Sequence, residues 1–197
     1  KKEINKEFDP HSPDFTLEQV FALGLHAVAE FIGDLSANAN KELAIEQNLA
    51  AITERWNDID IDVAVYKDPS FGYFKVRSTE DLYQVLEDDS VQVSTMKASK
   101  FYLSFKEQID YWENLLSLIS EIIDTILTVQ RKWMYLESIF MASEDIKKAM
   151  PEETKLFVEV NQKFKFIMTR INKDPNAQRA CKEEGMLDDV ITMDEKL

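Results

Sequence analysis

Apolar residues recur at helical spacing along most of the chain. The longest run passes through Phe101, Phe105, Ile109, Trp112, Leu116, Ile119, Ile123, Ile126, Val129, Trp133, Leu136 and Phe140, always in steps of three or four residues. Such steps keep one face of an α-helix apolar. No Gly or Pro interrupts residues 101 to 142, and Leu115, Leu118 and Ile122 add a second apolar flank at mid-length. The pattern predicts one helix of about 40 residues, covered on two sides there. It would span about 60 Å, more than the roughly 42 Å diameter of a compact domain of this length. The expected fold is therefore mainly α: an elongated helical bundle built on this one long helix, with one small β-hairpin.

The shorter runs fill in the rest. Thr16 and Gln19 have the spacing of a capping box. The helix they open is expected to bury Leu17, Val20, Phe21, Leu25 and Val28, to reach about Phe31, and to leave at Gly33. A second helix is expected from about Leu35 to Asp58, with Ile45, Leu49, Ile52 and Trp56 on one face. The period then changes to two over Ile59, Ile61, Val63 and Val65, followed by the turn-forming KDPSFG and by YFKVRS. This predicts a hairpin at about residues 61–77, and a hairpin alone is marginal in water, so it must lean on other elements. Thr79 is placed to cap EDLYQVLEDD, and a separate short helix is expected over Ser90 to Ser99.

Beyond the long run, Ser143 can cap a short helix and Pro151 suits a first helical position. Leu156, Val160, Phe164, Ile167 and Ile171 predict a helix to about Asn172. A short helix opened near Asp174–Pro175 and stopped by Gly185 comes next. The expected organisation is a polar tail over 1–14, the bundle over 15–190, and a truncated C-terminal end over 191–197.

Within the long run, QRKWMYLESIF at residues 130–140 is unusually aromatic. The spacing turns Trp133, Leu136 and Phe140 inward and Arg131, Lys132 and Glu137 to water. Met134 and Tyr135 lie off the stripe, where a ligand or partner could reach them.

Charge narrows the function classes. The 197 residues carry 23 basic and 37 acidic side chains, a net charge of −14. That repels nucleic-acid phosphate and disfavours anionic membrane, and no apolar run approaches the roughly 18 residues of a membrane span. The chain begins KKEINKEF, without Met, as expected of a piece of a longer protein. The single cysteine, Cys181, reads as a plain side chain on a polar helix with nothing beside it to make a nucleophile.

Chemistry is sparse. There are two histidines, His11 in the polar tail and His26 in the first helix, and neither has the Glu-x-x-His spacing of a di-metal bundle. His26 reads as a partly buried helix residue. Zinc-ligand clusters, a phosphate loop, a dinucleotide fingerprint and a nucleophile elbow are all missing. The acidic Glu87-Asp88-Asp89 run lacks the ligand spacing of a calcium loop. No catalytic, cofactor-binding or metal residues are expected, and a stand-alone enzyme is the least favoured class.

An ordered set of residues does resemble a known family. Gln130-Arg131-x-Trp133-Met134-Tyr135-Leu136-Glu137-Ser138-Ile139-Phe140, then Asp145-Ile146, Pro151-Glu152-Glu153 and Phe157, is similar to the N-terminal linker region of dynein heavy chains. Upstream, Leu35-Ser36, Ala39, Lys41-Glu42, Ile45-Glu46, Leu49 and Trp56 fit the same pattern, as do Leu86-Glu87-Asp88-Asp89, Met96, Phe105 and Trp112-Glu113. The resemblance covers roughly Phe15 to Asp189. It departs where the family usually has Trp at Ile126 and Leu before Pro151 at Met150, apolar for apolar in both. WMYLESIF with KDPNAQRACKEEG looks more axonemal than cytoplasmic.

The resemblance implies a non-catalytic segment of an ATP-driven microtubule motor: the lever that swings over a ring of six AAA+ modules. The ATP sites, stalk and microtubule-binding domain would lie C-terminal to it. The implied partner is that AAA+ ring of the same heavy chain, with dynein intermediate or light chains as further partners, in the cytoskeleton of a ciliary or flagellar axoneme. The competing expectation is a static tail or assembly module that holds those intermediate or light chains. No cofactor is implied for the segment.

Overall fold

The computed structural model describes residues 9, 11–13, 15–141 and 143–197. The polar tail expected over 1–14 lies largely outside them. Among the described residues are eight α-helices and two strands: α1 (Leu17–Ala22), α2 (Ala29–Arg55), β1 (Asp62–Val65), β2 (Phe74–Ser78), α3 (Glu80–Lys97), α4 (Lys106–Phe140), α5 (Glu144–Ala149), α6 (Pro151–Lys173), α7 (Ala177–Cys181) and α8 (Met186–Lys196). The fold is mainly α with one hairpin. The chain divides into two compact units, Lys1–Gln47 and Asn48–Leu197.

In the first unit, the Thr16 N–H donates to Gln19 Oε1 at 2.8 Å and the Gln19 N–H to Thr16 Oγ1 at 3.4 Å, so the capping box forms. The helix it opens is shorter than the spacing predicts. It ends before Gly24, whose φ of 68° is left-handed, a conformation glycine adopts without a Cβ penalty. A 3-10 turn over Leu25–Val28 leads into α2, and Gly33 lies inside that helix instead of ending one. Leu17 and Phe21 are exposed, not buried as a stripe. His26, expected to be partly buried, is exposed.

The second unit holds most of the core. Leu49, Ile52 and Trp56 bury the last turns of α2. α3 is one helix of 18 residues where two were expected, and Thr79 precedes it without a side-chain cap bond. Asp88-Asp89-Ser90 reads as a helix end because such side chains compete for backbone. Here Asp89 is fully buried and accepts from Trp56 Nε1 at 2.8 Å and from Arg55, so tertiary bonds hold it inside the helix.

α4 has 35 residues, about 52 Å of helix. It starts later than the stripe because Tyr102–Ser104 forms a 3-10 turn and Phe105 leaves helical geometry at φ −120°, ψ 15°. Most of both expected flanks is buried: Ile109, Trp112, Leu116, Ile119, Ile123, Ile126, Val129, Trp133 and Phe140 on the main stripe, Leu115 and Ile122 beside it, while Leu118 is half-buried. α3, α6 and α8 pack against it. The Ser143 cap of α5 forms, its Oγ accepting the Ile146 N–H at 3.4 Å. In α6, Phe157 is buried and Leu156 exposed. α7 opens next to Asp174–Pro175, at Asn176, whose Oδ1 accepts the Arg179 N–H at 3.0 Å, and it ends at Cys181, before the expected stop at Gly185. Gly185, at φ 79°, opens α8, which buries Met186, Val190 and Met193. No helix among the described residues is long and apolar enough to cross a membrane.

Candidate functional site

The stretch at 130–140 is where α4 receives the hairpin. Gln130, Trp133, Glu137 and Phe140 step by three, four and three residues, so they share one face, and all four are buried. Two of them are polar, and each meets a hairpin group.

Gln130 acts as a short piece of strand. The Val76 N–H donates to its Oε1 at 2.7 Å, and its Nε2 donates to the Val76 carbonyl at 3.0 Å. Val76 is paired across the hairpin with Val63, so the amide satisfies a backbone donor and acceptor that burial has cut off from water. Glu137, expected to face water, is 5% exposed and takes the ammonium of Lys67. That hydrogen bond raises the Lys67 pKa above its ordinary value. Lys67 has a φ of 59°, left-handed backbone that costs a non-glycine residue energy. A side chain anchored at its far end helps hold that conformation.

Trp133 fills the space between these two bonds. It is fully buried, with Tyr66 and Tyr73 edge-on at 5.2 and 5.4 Å and Phe164 of α6 at 4.7 Å between centroids. Edge-to-face rings add to what burial alone supplies. Its Nε1 donates to Asn161 Oδ1 at 2.9 Å, and Asn161 Nδ2 donates to the Tyr73 hydroxyl at 3.3 Å. One tryptophan therefore joins the hairpin, α4 and α6. Leu136 is half-buried, Met134 is half-buried and Tyr135 is exposed.

A second clamp secures the chain before the hairpin. Asn176 Nδ2 donates to the carbonyls of Trp56, Asn57 and Ile59 at 3.0, 3.0 and 3.2 Å. The Ile61 N–H donates to the Pro175 carbonyl at 2.7 Å, and the Ala177 N–H to that of Ile59 at 2.8 Å. Asp89 meanwhile holds the Trp56 indole. The hairpin is thus fixed at both ends.

These groups join one element to another. Cys181, expected as a plain side chain on a polar helix, is 1% exposed, and burial pushes its thiol up to about 12, far from the thiolate a nucleophile needs. Burial and then Asp124 raise the Tyr83 hydroxyl. Among the described residues no group of three or more His, Cys, Asp or Glu could hold a metal ion.

The comparisons with known proteins agree with the arrangement of residues. The family model for the dynein heavy chain, N-terminal region 2, matches residues 1–197. The chain is 50% identical over 193 residues to dynein axonemal heavy chain 2 of Homo sapiens, covering 98% of this chain and 4% of that protein. It is 47% identical over 194 residues to the dynein-1-beta heavy chain, flagellar inner arm I1 complex, of Chlamydomonas reinhardtii, with the same coverage of 98% and 4%. Human dynein axonemal heavy chain 10 is 36% identical over 184 residues, 93% of this chain and 4% of its own length. The chain thus spans about 4% of the length of these relatives. It belongs to the dynein heavy chains, of the axonemal type, as part of their N-terminal region 2.

Proposed function

We propose that this segment is a non-catalytic mechanical linker: the part of an axonemal dynein heavy chain that moves over its AAA+ ring as nucleotide is exchanged, within an ATP-driven microtubule motor of cilia or flagella. The observation that carries this reading is the clamp that holds the hairpin on an unbroken helix. α4 runs for 35 residues, and the hairpin is fixed to it by Gln130, Trp133 and Glu137. A lever must pass force between elements without shear. The buried Gln130–Val76 hydrogen bonds, the Lys67–Glu137 pair and the interlocked rings resist shear better than apolar contact alone, which has no preferred direction.

The test is a distance in the intact heavy chain. Cys181 is buried and unsuited to labelling, so one fluorophore goes at Tyr135, which is 68% exposed, and the other on a fixed module of the ring. Energy transfer that changes between ATP-analogue-bound and nucleotide-free states supports the lever. Unchanged transfer in a motor that still moves microtubules would move the segment to a static assembly role.

A further inference from the structure

The outer face of α6 departs from the acidity of the chain. Residues Val160–Lys173 contain Lys163, Lys165, Arg170 and Lys173 and no Asp or Glu, within a chain of net charge −14. Phe166 stands 61% exposed on this face, in a shallow depression with Gln162, Lys165, Thr169, Arg170 and Lys173. The cations there differ in what already neutralises them. Lys163 pairs with Asp189 and Arg170 with Glu183. Lys165 donates to the Phe71 carbonyl at 2.6 Å and lies 4.8 Å from the Tyr73 ring. Neither Lys165 nor Lys173 has an ion pair among the described residues.

Lys165 also links this face to the hairpin tip, where Phe71 is 54% exposed. The surface is thus an exposed aromatic ring flanked by two ammonium groups that have no carboxylate partner among the described residues, eight residues and therefore about 12 Å apart along the helix. Arg170 lies over the Phe166 ring, 5.8 Å from its centroid, a contact that orients the guanidinium beside it.

We propose that this face of α6 docks an acidic segment of the same heavy chain, with an apolar side chain on Phe166 and carboxylates reaching Lys165 and Lys173. Charge complementarity selects the chemistry: two cations without a carboxylate partner among the described residues, on a chain of net charge −14, suit carboxylates flanking an apolar residue. Size favours an intramolecular source. Relatives are far longer than this segment, which covers 4% of them, and a tethered partner competes at a high effective concentration. Only the placement of the partner in cis rests on the proposed linker role.

The experiment uses the full-length heavy chain with a benzophenone side chain at Phe166, irradiated with and without ATP analogue, and the adducts mapped by mass spectrometry. The expected result is an adduct to an Asp- and Glu-rich peptide of the same chain. Lys173→Glu should lower its yield about tenfold, and raised salt should lower it too. Adducts only to another polypeptide, no adduct in any nucleotide state, or a yield indifferent to both Lys173→Glu and salt would each overturn the proposal. An adduct of equal yield in every state, beside unchanged energy transfer from Tyr135, would leave the docking intact and remove the lever. Changed transfer without any adduct would do the reverse.

Discussion

Gln130→Ala removes one side chain and orphans two buried backbone groups. Gln130 is 8% exposed and Val76 4%, so water has little access to the Val76 N–H and carbonyl that the amide serves at 2.7 and 3.0 Å. An unsatisfied buried group costs about 1–3 kcal/mol. Two of them, partly relieved by relaxation of the hairpin, give a loss of about 2–4 kcal/mol. In a chain of this size that lowers Tm by roughly 5–15 °C. A melt followed by circular dichroism reads the total, and hydrogen exchange at the Val76 amide reads the local part. Gln130→Glu keeps the acceptor and loses the donor, so Val76 N–H protection should survive better than in the Ala variant. A Gln130→Ala protein that melts within about 1 °C of the parent, with the Val76 amide still protected, would refute the clamp.

Three further tests concern stability and access. Trp133→Ala should cost about 3–5 kcal/mol, while Tyr135→Ala, two residues away and exposed, should stay within about 0.5 kcal/mol; paired denaturant titrations decide. Cys181 should resist a thiol reagent in the native state at pH 8 and react once urea unfolds the chain. Its folded pKa, about 12, lies above the ordinary 9.0, so the stability this group contributes is fully present below pH 9.0 and is lost as pH rises towards the folded value. Gly33→Ala, inside α2 with nothing within 4 Å of the added Cβ, should stabilise by about 0.5–1 kcal/mol. Gly185→Ala, at φ 79°, should destabilise by about 1–2 kcal/mol, and thermal melts should show the opposite signs.

The fold was legible where one period dominated. The α4 stripe, the α6 stripe and the hairpin each follow from spacing, because burial on one face repeats with the geometry of the element. Polar residues on a buried face escaped that logic. Gln130 and Glu137 share the steps of Trp133 and Phe140, and that shared phase was the available signal that both point inward. Composition alone sent Glu137 to water, because a buried carboxylate needs its Lys67 partner, 70 residues away, to be known first. The same holds for Asp89, whose partners Arg55 and Trp56 lie at the end of another helix and just past it. Asn176 was hidden because its backbone acceptors lie 117 to 120 residues earlier. Cys181 was misplaced for a related reason: Ala177, Ala180 and Cys181 form the buried side of a helix too short for a period to emerge. At Gly24 and Gly33 composition is identical, and only backbone conformation tells them apart.

The most direct test of the mechanical claim is to ask whether loosening the hairpin clamp uncouples the motor. The intact heavy chain carrying Gln130→Ala should hydrolyse ATP at close to the parental rate while its microtubule gliding slows or stops, because the reaction remains and its transmission fails. Gliding unchanged from the parent, with the Val76 amide shown by hydrogen exchange to be released, would contradict a force-transmitting role for the clamp.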